Sequence, residues 1–122
     1  KDSPRLTALK ASYETGNPMR WIKVHKIGDY AYFNHSAHVN RGLGCATCHG
    51  RIDRMDVVYQ FSPLSMGWCL NCHRDPDQNL RPVDHMTDMG FNPAADVTAE
   101  ARAQLKAQFA IQPSEHCSTC HR

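Results

Sequence analysis

The sequence predicts a mainly irregular chain with short α-helices and minimal β-structure, with a core that side chains alone do not supply. Three observations carry that expectation. Seven prolines and seven glycines interrupt 122 residues, so long regular elements have little room. Only one segment, near residues 97–112, keeps a helical apolar period. All six cysteines fall in three copies of one short pattern. A side-chain core at this length is modest even when the chain is regular.

Taken in order, residues 1–24 read as an extended arm, with Pro4, Gly16 and Pro18 as breaks. An arm without its own core is expected to lie on a partner, leaving residues 25–122 as the domain proper. Trp21 to Val39 mixes aromatics with His25, His35 and His38. Met55, Val57, Tyr59 and Phe61 alternate and predict a short strand. Ser65 to His73 predicts one or two helical turns, and residues 74–95 a loop. The helix expected at 97–112 has Asp96 or Thr98 as cap and an apolar stripe of Val97, Ala101, Leu105 and Phe109, with Pro113 ending it. Packing is the expected role of that stripe.

Net charge is only +2 with His neutral, and the two signs are interleaved. That excludes a dedicated nucleic-acid binder, which would carry a basic patch or stripe. No apolar run approaches the roughly 18 residues of a membrane span. The chain opens at Lys1 with no leader pattern and reads as processed or partial.

The cysteine pattern carries the chemistry. It reads Cys45-Ala-Thr-Cys48-His49, Cys69-Leu-Asn-Cys72-His73 and Cys117-Ser-Thr-Cys120-His121. C-x-x-C-H is the attachment sequence of c-type haem. Two thiols at this spacing reach the two vinyl groups on one porphyrin edge, and the next residue turns its imidazole under the ring to the iron. Tether and proximal ligand thus come from five residues. A zinc ribbon is the competing reading, since 20 residues separate Cys48 from Cys69. Disulfides are another, six being even. Both leave the three trailing histidines unexplained, a coincidence on the order of one in several thousand against the motif's explicit demand. Three covalent haems, with His49, His73 and His121 as proximal ligands, are therefore expected, and they would make up much of the core.

A six-coordinate haem needs a second axial ligand, His or Met. His25, His35, His38, His85 and His116 are the candidates. His116 adjoins Cys117, which is pinned to a porphyrin edge, so any iron it meets belongs to another haem. Met66, Met86 and Met89 are expected to pack or to make sulfur–aromatic contacts instead. Arg41, Arg51, Arg54, Arg74 and Arg81 lie near the motifs and could meet propionates, though solvation is the commoner fate.

Tyr32-Phe33-Asn34-His35-Ser36-Ala37-His38 resembles the F-x-H-x-x-H signature of class III and c7-type multihaem cytochromes. The resemblance implies that His35 is the distal ligand to the haem on Cys45 and Cys48, and that His38 serves a different haem. A longer set is more specific: Val24-His25-Lys26, Tyr32 to Val39, the first motif with Gly50-Arg51, and Pro63-Leu64-Ser65-Met66-Gly67-Trp68-Cys69. It resembles the pentahaem cytochrome c subunit of bacterial alternative complex III, over about residues 5–75. That family carries five haem motifs and this chain three. The resemblance therefore implies that all five non-motif histidines are distal ligands, two of them serving haems whose motifs lie outside these 122 residues.

The expected function is electron transfer, not catalysis, since irons with both axial positions filled leave no place for a substrate of their own. The resemblance implies a subunit of a membrane quinol oxidoreductase. Its partners would be an iron–sulfur, molybdopterin-like subunit and a monohaem cytochrome c, and its place the periplasmic side of a bacterial membrane. Electrons would pass from iron–sulfur clusters to a downstream cytochrome or oxidase. The alternatives are a free periplasmic trihaem shuttle of the c7 type and, less favoured by the surplus of histidines, a multihaem reductase with one open iron.

Overall fold

The computed structural model describes residues 3–121; Lys1 and Asp2, at the start of the arm, and Arg122, at the end of the domain, lie outside the described residues. Among the described residues the chain forms seven short α-helices: α1 Thr7–Thr15, α2 His35–Val39, α3 Cys45–His49, α4 Met66–Arg74, α5 Pro93–Asp96, α6 Ala99–Gln108 and α7 Cys117–Cys120. Short 3-10 turns and irregular segments join them. Among the described residues there is no sheet; two isolated antiparallel bridges join Ala31 to His121 and Leu43 to Leu80. The mainly helical and irregular architecture expected from the sequence is the one observed.

The arm is not extended throughout. Pro4 opens a 3-10 turn capped by the Ser3 hydroxyl, and helix α1 follows at once. Pro lacks an N–H that the first turn would leave unpaired anyway, so here it starts the helix rather than breaking it. Gly16, at φ 70°, closes α1 in the left-handed conformation and donates to the Ser12 carbonyl. No residue of α1 is buried, and Trp21 and Ile22 beyond it are 83% and 87% exposed.

The strand expected at Met55–Phe61 does not form. A strand needs a neighbour to complete its ladder, and this stretch has none. Instead the Gln60 side chain accepts from Lys26 N and donates to the Pro63 carbonyl. Val57, Tyr59 and Phe61 all remain exposed.

The buried apolar core is small: Leu80, Val97 and Leu105, with Leu43, Phe91, Ala101, Phe109 and Ile111 packed on it. The expected stripe of α6 supplies half of this set. Thr98 caps α6 by accepting from Ala101 N. The helix stops four residues earlier than Pro113 suggested. Ala110 takes φ 48°, its N–H donates to the Ala107 carbonyl, and Ile111 N donates to that of Lys106. This is a Schellman ending with Ala where Gly is usual, and it turns Ile111 into the core. Arg41 donates to the freed carbonyls of Phe109 and Ala110, which ties the approach to the first motif onto the end of α6.

Candidate functional site: three cysteine–histidine helices around α2

Each C-x-x-C-H pattern folds as its own helical turn. The first is α3, entered from extended Gly44 and left through Gly50, at φ 66° and ψ −161°. An added Cβ at Gly50 would also overlap the Phe61 ring. The second lies within α4, capped by the Ser65 hydroxyl on Trp68 N. The third is α7 with His121 just past its end. The i, i+3 spacing puts both thiols of each pair on one side of the turn. All six stand as free thiols.

The three turns lie near one another. Burial, followed by the neighbouring Cys72, Cys69 and Cys45 thiols, pushes the Cys48 thiol up to about 11. Burial and Cys69 raise Cys72, and burial and Cys120 raise Cys69. Motif one thus adjoins motif two, and motif two adjoins motif three.

The histidines fall into facing pairs. His35 and His49 have ring centroids 6.3 Å apart with planes 10° from parallel. His38 and His73 are 6.2 Å apart. A metal held ~2 Å from one nitrogen of each of two opposed imidazoles separates the ring centroids by about 6 Å. Both pairs therefore fit one iron between them. His35 and His38 come from the same turn, α2, one facing motif one and the other motif two.

Ring orientation is set by backbone carbonyls. His38 Nδ1 donates to the Asn34 carbonyl (2.8 Å), His73 Nδ1 to that of Ser114 (2.7 Å) and His121 Nδ1 to that of Tyr30 (3.3 Å). A carbonyl only accepts, so each Nδ1 carries the proton and each neutral ring offers Nε2. Such second partners fix tautomer and aim in metal-bound histidines. Burial first, then His25 and His35, lowers the His49 pKa, favouring the neutral form a metal requires.

These hydrogen bonds also assemble the motifs. Beside His73, Arg74 pairs with Glu115 at 2.9 Å, holding α4 to the approach of α7. Beside His121, Tyr32 N donates to the Cys120 carbonyl, holding α7 to the segment that leads into α2.

The other histidines are placed differently. The His25 ring meets His49 edge-on at 4.3 Å, and its Nε2 is buried without a partner. His85 stacks on Phe91 at 4.2 Å and contacts the Asp88 carboxylate. His116 is exposed at the start of α7, and among the described residues no other ring is set against it. The rings of His25, His85 and His116 are therefore not brought opposite a second histidine in the way that His35 and His38 are. His121 has Tyr30 alongside, at 5.8 Å.

Among the described residues, no group of three or more His, Cys, Asp or Glu side chains could hold a bare metal ion. An open cleft of about 640 Å³ lies beside α3, with Ala46, Thr47, Phe61, Arg81 and Phe91 among its walls. Its volume is in the range of ligand-sized groups.

Sequence reasoning quoted Phe33 and Asn34 only within the signature and gave neither a role in positioning the pairs. Phe33 lies 4.8 Å from His35 and 4.4 Å from His38, a wedge against both rings. The Asn34 side chain caps α2, accepting from Ser36 N and Ala37 N; an Asn before a short polar stretch was the available signal. Asn34→Ala is expected to cost about 1 kcal/mol and to lower the melting temperature by a few degrees, read by circular dichroism. An unchanged melt would mean that the cap does not hold α2.

In comparisons with known proteins, no family model matches this chain and no curated protein is similar to it.

Proposed function

We propose that this chain is a multihaem c-type cytochrome: Cys45/Cys48, Cys69/Cys72 and Cys117/Cys120 each tether one haem, and His49, His73 and His121 are the proximal ligands. The observation that carries the reading is the pair of facing histidines, His35 with His49 and His38 with His73, each about one iron-width apart. Bound haem iron supplies one-electron chemistry. Nδ1 hydrogen bonds orient His38, His73 and His121, and the pairs His35 with His49 and His38 with His73 would each supply two imidazoles to one haem iron. Closed axial positions favour electron transfer over catalysis.

The same reading extends to a place in a membrane quinol oxidoreductase of the alternative complex III kind, on the exported side. Support comes from the arm. Helix α1 buries nothing, and Leu9, Tyr13, Trp21 and Ile22 are exposed, as expected of a segment that lies on a neighbouring subunit. The iron–sulfur subunit and a monohaem cytochrome remain the proposed partners. His25, with its unpartnered Nε2, is the best placed of the remaining three histidines to take up another iron.

The test is optical. Protein made with haem-attachment machinery should be red, should yield three haems per chain by pyridine haemochrome, and should retain its colour through acid–acetone extraction. A colourless protein, or one whose colour is extracted, overturns the reading.

A further inference from the structure

Arg81 is the one large charged side chain of the described residues that is fully buried, at 1% exposure. Arg51 pairs with Asp53, Arg74 with Glu115 and Lys106 with Asp77. Arg81 pairs with no carboxylate among the described residues. Its Nη1 donates to two neutral main-chain carbonyls, of His85 (3.3 Å) and Asp88 (3.1 Å). Its Nε is buried with no partner, and its guanidinium lies 5.5 Å from the Phe91 ring centre. The Asp88 carboxylate, half exposed, binds Gly90 N and His85 directly and acts on Arg81 only through space.

The guanidinium is pressed against the start of the first motif. A Cβ at Gly44 would overlap its Nε, Cζ and Nη1, so glycine is what lets the charge approach this closely. Gly44 is the residue before Cys45, and Arg81 is within electrostatic reach of the Cys45 thiol. The backbone holds it there: Arg81 N donates to the Gly42 carbonyl, next to the Leu43–Leu80 bridge. An arginine stays protonated, and a buried charge escapes the salt screening that quiets surface charges.

Resting on the haem reading above, we propose that Arg81 sets a redox potential: its buried charge, in no ion pair with a carboxylate of the described residues, raises the reduction potential of the haem tethered by Cys45 and Cys48 above those of the other two. The physics is one of sign. Reduction removes one unit of positive charge from the iron site, so a fixed cation nearby favours the reduced form. A unit charge ~10 Å away at an effective dielectric of ~20 shifts such an equilibrium roughly tenfold or more. Neither of the other motifs has a fully buried cation beside it among the described residues. Electrons entering the chain would therefore settle first on the haem of motif one.

The test is Arg81→Gln in the haem-loaded protein, which removes the charge and keeps a donor for the two carbonyls. The midpoint potentials are resolved by optical titration with mediators. One potential should fall by about 59 mV, the one-electron equivalent of tenfold, while the other two hold, and Arg81→Lys should restore most of the loss. An unmoved set of potentials in Arg81→Gln, or an equal fall of all of them in both variants, overturns the proposal. If Arg81→Gln does not fold, the unsubstituted protein decides by proton NMR during stepwise reduction. The haem reduced first should be the one with contacts to Ala46 and Thr47, and the proposal fails if another haem leads. A protein without haem overturns the parent reading and this one together; a haem-loaded protein with unmoved potentials overturns this one alone.

Discussion

Replacing His35 with alanine is expected to turn one haem from low-spin six-coordinate to high-spin, and to leave the others as they were. His35 faces His49 at 6.3 Å, the separation that places one metal between two imidazoles. Without it the iron would keep only His49. The vacated position should then bind carbon monoxide, one molecule per chain, with a Soret shift accounting for one haem's share of the absorbance. Because Phe33 touches both α2 histidines, a slight shift at the His38 haem is tolerable, but loss of its low-spin spectrum is not. Carbon monoxide binding at the His49 haem of the unsubstituted protein would instead mean that His35 does not close that iron.

The second large effect concerns folding. Made without haem attachment, the chain should not fold cooperatively. Among the described residues its buried hydrophobic side chains number three, Leu80, Val97 and Leu105, each worth on the order of 2 kcal/mol. Ordering a chain of this length costs far more than such a core returns. The motif turns α3 and α7 span only five and four residues, well under the length at which an isolated helix holds. Circular dichroism should show little helix and a non-cooperative melt, against a sharp transition in the haem-loaded protein. A stably folded, haem-free chain would mean that the side chains suffice and that haem is not the core.

The pattern of what the sequence revealed follows the range of each signal. The three cysteine–histidine motifs are written within five residues each and were legible as motifs, though only the second was read as a helical turn. Legible too was the α6 stripe, whose Val97, Ala101, Leu105 and Phe109 do meet the core. Helix α1 was hidden because Pro4 and Gly16 look alike as breaks, whereas one begins the helical run and the other ends it. The strand at Met55–Phe61 failed because alternation marks a strand only where a partner edge exists. The early end of α6 went unseen because Ala110, not glycine, takes the left-handed turn. In the site, the cap at Asn34 was within reach of local reading. The acceptors for His73 and His121 were not: they lie 41 and 91 residues away, and any residue has a carbonyl to offer. Arg81 was visible only as one of several nearby arginines; its burial is a property of the fold.

Helix α2 spans five residues, yet it carries His35 and His38, each facing a different motif. Three residues of helical rise separate the two ligands by ~4.5 Å along the axis. That offset is set by covalent pitch and needs nothing from the loops. In mechanical terms α2 is a common axle: when the irregular chain around it flexes, both ligands move as one body. On the haem reading, the spacing of the first two centres would thereby be shielded from the softness of the molecule, while the third would hang on ties between separate segments, from His73 and Arg74 to Ser114 and Glu115 and from His121 and Cys120 to Tyr30 and Tyr32.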